Sequence, residues 1–271
     1  MNIKYIFFFV LFLCPPAFGQ AYNDFDLSNS LIDKKHIIHG GPPRDGIPAI
    51  SEPKYVTAEE ASFMKPEDVV LGFKIGSTAF AYPRHILNWH ELVNDESEGQ
   101  GFVITYCPLC GSGMAFSSAV GSEQLDFGVS GLLYNNDLLF YDRQTESLWS
   151  QIERRAVSGD YAGDILEQLY LEHTSWQAWK ERNPNTKVLS EDQGFRRNYR
   201  HDPYTGYDTS SQLFFKSLHK TPKEFHTKEN VLGLTIGQSA KAYPFSELRK
   251  QGLSSFEDEL AGFKYLSLIH I

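Results

Sequence analysis

Cysteine is scarce in this 271-residue chain, which has three: Cys14, Cys107 and Cys110. Three are too few for a disulfide-dense scaffold and too few for a zinc ribbon, which draws on two cysteine pairs. Basic charge is also short, with 25 Lys and Arg against 34 Asp and Glu and a net charge of −9. The chain therefore lacks the basic stripe that nucleic acid or anionic lipid requires, and neither partner is expected. After the N-terminal segment no apolar stretch approaches the roughly 20 residues that cross a bilayer, and low-complexity sequence is missing.

The N-terminal segment has one charge, Lys4, ahead of the apolar run Ile6-Phe7-Phe8-Phe9-Val10-Leu11-Phe12-Leu13. Pro15 and Pro16 end that run after about ten residues, half of a membrane span. Ala17-Phe18-Gly19 then fits the small-x-small pattern of signal cleavage. Residues 1–19 are expected to be a secretory signal peptide that leaves Gln20 first, discards Cys14 and exports the protein, periplasmic or extracellular. The bulky Leu11-Phe12-Leu13 before Cys14 argues against lipidation.

The chain is 41% hydrophobic over its full length, enough for one large core or two closely packed lobes. Trp89, Trp149, Trp176 and Trp179 are scattered, which suits core positions better than a sugar-stacking platform. Gly and Pro crowd residues 40–48, which reads as an ordered surface loop. Thr57-Ala58-Glu59-Glu60 reads as a capping box. Residues 70–83 recur as residues 231–244 at a constant offset of 161. Each copy has two apolar runs about a Gly turn, then a Pro at a helix start, then a strand. Gly101-Phe102 falls on Gly262-Phe263 at the same offset, so the repeat is expected to extend without gaps and to end in a truncated second copy. Residues 114–151 look strongly β-forming, and Thr174-Ser175 caps a helix that stops before Pro184. The expected fold class is α+β, mainly β-strand with short helices, holding two copies of a hairpin, helix and strand unit in a single domain over residues 20–265.

Residues present in only one copy are the ones that scaffold does not explain. His90 meets Gln251, Trp89 meets Lys250 and Cys107 meets Leu268. The Cys-x-x-Cys pair Cys107-Pro108-Leu109-Cys110 can close a disulfide or give two thiolates to one metal. Dithiol oxidoreductases place such a pair at a helix N-terminus, whereas Gly111-Ser112-Gly113 suits a tight turn after a strand. With no second pair, a Zn or Cu(I) ion would recruit His90, His85 or Met114. Haem attachment is excluded because Gly111 stands at the histidine position. His90 is expected on a helix over residues 84–93, followed by a loop at 94–100. An antiparallel return would then put the helix end near Phe102, on the order of 16 Å from Cys107. Asp137, Asp142 and Arg143 offer acids, ligands or turn residues. Gly128-Val129-Ser130-Gly131 falls short of a nucleophile elbow.

Several longer strings carry a family resemblance: Asp45-Gly46-Ile47-Pro48-Ala49, Ile86-Leu87-Asn88-Trp89-His90-Glu91-Leu92-Val93-Asn94-Asp95, Thr105-Tyr106-Cys107-Pro108-Leu109-Cys110-Gly111 and Phe127-Gly128-Val129-Ser130-Gly131-Leu132-Leu133-Tyr134-Asn135. Residues 137–151 extend the match. Together they resemble the bacterial and archaeal family catalogued as domain of unknown function 3179, which implies extracytoplasmic placement and no established activity. Residues 266–271 depart from that pattern and read as a non-native tail, like translated sequencing adaptor.

The function expected from the sequence is that of an exported protein with a thiol centre, redox-active or soft-metal-binding. Cys107 and Cys110 supply sulfur, His90 a base or third metal ligand, and Asp137, Asp142 and Arg143 flanking polar groups. Its partner would be a small molecule, a metal or a protein thiol. The alternative is a non-enzymatic extracytoplasmic binding module with a structural disulfide.

Overall fold

The computed structural model describes residues 22–237, 239–252 and 255–268. The proposed signal peptide, Cys14 and Gln20 lie outside the described residues. The chain is mostly strand with few short helices, an α+β fold. No helix among the described residues is long and apolar enough to cross a membrane.

The first part of the chain forms β1 (Ile37–His39), β2 (Tyr55–Thr57), β3 (Val69–Ile75), β4 (Thr78–Pro83), α1 (Arg84–His90), β5 (Leu92–Ser97), β6 (Gln100–Cys107) and β7 (Ser112–Ser117). A small ribbon, β8 (Ala119–Val120) and β9 (Glu123–Gln124), precedes β10 (Phe127–Tyr134), β11 (Asp137–Asp142), β12 (Leu148–Ser150) and β13 (Arg155–Ser158). Then come β14 (Gln168–Leu169), β15 (Leu171–Ser175), α2 (Trp176–Arg182) and β16 (Lys187–Leu189). These strands make three main sheets, ordered β15-β3-β4-β16-β2, β14-β7-β6-β5 and β1-β10-β11-β12-β13. All pairings are antiparallel except β16 with β4.

The β5–β6–β7 sheet is the middle layer, and β6 shows why. Successive side chains of a strand point to opposite faces. Phe102, Ile104 and Tyr106 pack with Phe73, Phe80 and Tyr82 of the β3–β4 hairpin. Val103 and Cys107 pack on the other side with Phe127, Phe140 and Trp149. Both faces of β6 are therefore buried, and each fully buried Phe or Ile there contributes about 1.5–3 kcal/mol. At the far end of this layer Gly76 takes a left-handed φ of 54°. The Glu98 carboxylate accepts Ser77 N–H at 2.9 Å beside it, tying the β3–β4 turn to the β5–β6 turn.

α1 is shorter than the sequence pattern suggests, and this corrects the expected helix over 84–93 and loop over 94–100. The helix stops at His90 because Glu91 turns the backbone into φ 60°, with its N–H still bonded to the Leu87 carbonyl at 2.8 Å. Leu92 then begins a strand, and Glu98-Gly99 close a two-residue turn with φ 53° and 74°, the mirror-image geometry that hairpins favour. The register pairs Leu92 with Thr105. The helix end consequently sits beside Tyr106 and not beside Phe102: the Glu91 carbonyl accepts Tyr106 N–H at 2.7 Å.

A second series comes later in the same order: β17 (Val231–Ile236), β18 (Ser239–Pro244), α3 (Phe245–Lys250), β19 (Ser255–Leu260) and β20 (Phe263–Leu268). In both series the segment after the helix is a hairpin, in place of the single strand expected. The match is also not free of gaps. The first turns are 161 residues apart, at Gly76 and Gly237, but the second turns, Glu98-Gly99 and Ala261-Gly262, are 163 apart. The shift arises at the helix exit, where Glu91 alone links α1 to β5 while residues 251–254 link α3 to β19. Matched by turns, Asp95 and Asp258 correspond, and each accepts from the tyrosine of its own preceding hairpin, Tyr82 at 3.3 Å and Tyr243 at 2.7 Å. Leu266 of β20 pairs with Glu257 of β19, so β20 runs on into the segment read as a foreign tail. Residues 269–271 lie outside the described residues.

Candidate metal centre

Cys107 ends β6 and Ser112, its paired residue, opens β7. Between them the chain makes a tight turn closed by Cys110 N–H on the Cys107 carbonyl at 3.2 Å. Gly111 comes next with φ 63°, a conformation glycine adopts without penalty. The pair thus lies on a hairpin knuckle and not at a helix start, as Gly111-Ser112-Gly113 suggests. Both thiols are free, Cys107 buried and Cys110 exposed.

The β10–β11 hairpin brings the second half of the site. Its turn residues Asn135 and Asn136 are both left-handed, at φ 51° and 68°, which Asn tolerates better than other non-glycine residues. The Asn136 carbonyl accepts from Cys110 Sγ at 3.3 Å and from Cys107 Sγ at 3.7 Å. Its side-chain Oδ1 is buried without a partner. Asp137 Oδ1 accepts from Cys110 Sγ at 3.6 Å, and its Oδ2 from Ile152 N–H at 3.1 Å. Buried Gln151 braces the arrangement, accepting Ser112 Oγ at 2.9 Å and donating to Thr105 Oγ1 at 2.8 Å.

One ligand atom each from Cys107, Cys110 and Asp137 lie within 4.8 Å of one another. Zinc bonds sulfur at about 2.3 Å and carboxylate oxygen at about 2.0–2.2 Å. Two sulfurs on one ion are therefore at most about 4.6 Å apart, and shifts of about 1 Å or less close the set around a cation.

Electrostatics sets this site apart from a redox thiol. Burial raises the Cys107 thiol well above its ordinary value, and Cys110, Asp137 and Glu91 push the same way. Burial lifts Asp137 to about 6, against the hydrogen bonds it accepts. Glu91 is 8% exposed, bonded through its carboxyl to no other described residue, and lifted to about 8 by burial and then by Asp137. Reactive thiols sit in electropositive surroundings that favour the thiolate; at Cys107 the carboxyls of Asp137 and Glu91 oppose it. Tyr106 is pushed up to about 12 mainly by burial, and Tyr204 feels both Glu91 and Cys107.

His90, expected as a third ligand or base, is not among the three converging ligand atoms. It is fully buried, with Nδ1 on the Pro48 carbonyl and Nε2 on the Tyr199 hydroxyl, each at 2.7 Å. Its neighbours on α1 behave alike: Asn88 donates to Asp202 at 2.9 Å and Trp89 Nε1 to the His201 carbonyl at 3.0 Å. The three residues fasten the tyrosine-rich segment 199–207. His90→Phe is expected to leave metal uptake unchanged and to destabilise the fold by about 1–3 kcal/mol through two unsatisfied buried partners; metal analysis and urea melts of the variant check both halves.

Asp142 and Arg143 are also elsewhere. Asp142 ends β11, five residues from Asp137 and about 16 Å along an extended strand, and Arg143 follows it. Asp142 accepts Thr145 N–H at 2.7 Å, Thr145 Oγ1 at 2.8 Å and Trp149 Nε1 at 2.9 Å, which organises a turn. Arg143 grips Asp45 through two bonds of 3.0 Å and Asp126 at 3.1 Å, clasping the Gly- and Pro-rich loop to the sheet. His85 pairs with Glu191 at 3.6 Å, and Met114 packs against the Phe127 and Trp149 cluster. Glu91 and Asn136 are site residues that the sequence pattern does not single out. The one signal for Glu91 is its place beside His90, where the second series has Gly252 at the common offset.

An α+β chain with three layered sheets and a two-thiol, one-carboxylate cluster at the end of its middle sheet is the class of protein that fold and site define. This chain belongs to the family described as protein of unknown function (DUF3179), whose profile matches residues 44–269. Comparison with curated proteins and with solved structures finds no match.

Proposed function

We propose that Cys107, Cys110 and Asp137 form a metal centre for a borderline ion, with Zn2+ as the favoured occupant. The observation that carries this reading is the convergence of two sulfurs and one carboxylate oxygen within 4.8 Å in a buried, electronegative setting. A cation there takes the place of protons on Cys107 and Asp137, two acids that the fold buries and holds above their ordinary values. Two sulfurs with one oxygen suit Zn2+ better than Cu+, which favours all-soft donors. Metal analysis of the purified chain tests the reading, with one zinc per chain expected. At Cys107 the same electrostatics weighs against a dithiol-redox reading, since a thiol beside two carboxyl groups is a weak nucleophile.

We further propose that the protein is exported. The support is the short apolar run, broken by Pro15 and Pro16, and then Ala17-Phe18-Gly19. Intact-mass analysis of secreted protein is expected to find Gln20 first; a secreted product that retains Met1 refutes the proposal. The shared order of elements and the residue identities at the 161 offset support reading residues 69–107 and 231–268 as two copies of one unit, the first of which ends at Cys107 of the centre.

A further inference from the structure

We propose that the main-chain carbonyl of Asn136 is the fourth ligand of this centre, which makes it a closed site for a divalent ion, with no exchangeable position. The inference rests on the zinc reading and adds to it a ligand and a role, that of a fastener between two sheets.

The distances carry it. Zinc bonds sulfur at about 2.3 Å and oxygen at about 2.0–2.2 Å, so at the tetrahedral angle a sulfur and an oxygen on one ion stand about 3.5–3.7 Å apart. The Asn136 carbonyl oxygen lies 3.3 Å from Cys110 Sγ and 3.7 Å from Cys107 Sγ. Asp137 Oδ1, already assigned as a ligand, lies 3.6 Å from Cys110 Sγ. The carbonyl is thus as well spaced from the sulfurs as the carboxylate is. Its direction comes from the turn. Tyr134 pairs with Asp137 across the hairpin, which leaves Asn135-Asn136 as a two-residue loop, and both take the left-handed φ of the mirror-image hairpin turn. Asn136 therefore has no place in the ladder, and no described backbone N–H donates to its carbonyl. Its partners are the two thiols.

Ligand chemistry supplies a second argument. Zinc takes cysteine as thiolate, so binding removes both protons that this carbonyl accepts. Asn136 is 8% exposed. A buried carbonyl left beside two negative sulfurs with no donor is costly, and a bond to the same cation removes that cost. Two sulfurs and two oxygens then fill the four positions that structural zinc sites fill. The sulfurs belong to the β6–β7 knuckle of the middle sheet and the oxygens to the β10–β11 turn of a second sheet, so the ion joins the two.

The tests use the whole chain. Loaded with Co2+, whose visible bands report ligation, wild type is expected to bind one ion and to keep its ligand-field spectrum when azide is added. Loaded with Zn2+, 13C-labelled wild type is expected to show the Asn136 carbonyl carbon moving downfield from its metal-free position, as a polarised carbonyl does. Asn136→Gly removes the side chain and leaves the carbonyl, and glycine adopts the left-handed φ of this position without penalty. Its Co2+ spectrum should also ignore azide. A saturable azide response in wild type means an open position and overturns the proposal. So does an Asn136 carbonyl carbon that stays in place on Zn2+ loading, or an azide response that arises only in Asn136→Gly, which assigns the fourth bond to the side-chain Oδ1. Wild type that takes up neither Co2+ nor Zn2+ refutes the underlying centre instead, so the two failures are distinct.

Discussion

Cys110→Ser is expected to weaken zinc binding by about a thousandfold or more while leaving the fold intact. A serine hydroxyl keeps its proton at neutral pH and is a poor zinc ligand, so one of the protein's bonds to the ion is lost. Cys110 is exposed at the tip of a hairpin, so the substitution removes no core packing. Cys107→Ser should abolish binding equally but also destabilise the chain, because Cys107 is 1% exposed among Val103, Phe127 and Trp149 and a polar atom in such a place costs about 1–3 kcal/mol. Asp137→Asn should fall between wild type and the serine variants, since an amide oxygen still ligates without the charge. Competition against a chromophoric chelator measures all three. Wild-type affinity in Cys110→Ser would contradict the assignment.

The second large effect concerns pH. Metal-free protein is expected to lose stability as the pH rises from about 5 to 9. Glu91 stands at about 8 against an ordinary 4.5, and Asp137 at about 6 against 3.8. Both carboxyls are raised in the fold, so the folded chain holds protons that the unfolded chain has already released. Their contribution is fully present below the unfolded values and is lost as pH passes through about 6 and then about 8. At about 1.4 kcal/mol per unit, and allowing for the two carboxyls sharing one charged neighbourhood, the combined loss is on the order of 3–5 kcal/mol. Urea melts of chelator-treated protein at pH 5.5 and 8.5 check this, with Glu91→Gln expected to flatten the dependence. Equal stability at the two pH values would contradict the buried-acid account. Added Zn2+ should reverse the trend, because its ligands must shed protons to bind it.

The parts of the site legible in the sequence are the local ones. Cys107 and Cys110 announce themselves by spacing, and Gly111 marks a turn instead of a helix start. Asp137 stands out as a carboxylate at a hairpin tip, but nothing local separates it from Asp142 and Arg143; what separates them is which end of β11 meets the β6–β7 knuckle. Absence from the second series draws attention to His90, but the physical reason is a different one. Asn88, Trp89 and His90 bond to residues 199–202 and to Pro48, so they are particular to the first series through partners distant in sequence. Glu91 is hidden in the sequence because Leu92-Val93 continues an apolar pattern that a helix and a strand share. Only the pairing of Leu92 with Thr105, a long-range fact, carries Glu91 to the cysteines.

Metal analysis of the purified full chain is the most direct measurement. The protein is stripped with chelator, re-exposed to Zn2+, freed of excess and analysed by elemental mass spectrometry beside Cys107→Ser/Cys110→Ser. One zinc per wild-type chain and none above background in the double variant is the predicted result. Wild type holding no more zinc than the double variant, with both thiols freely titratable before and after loading, would contradict the centre.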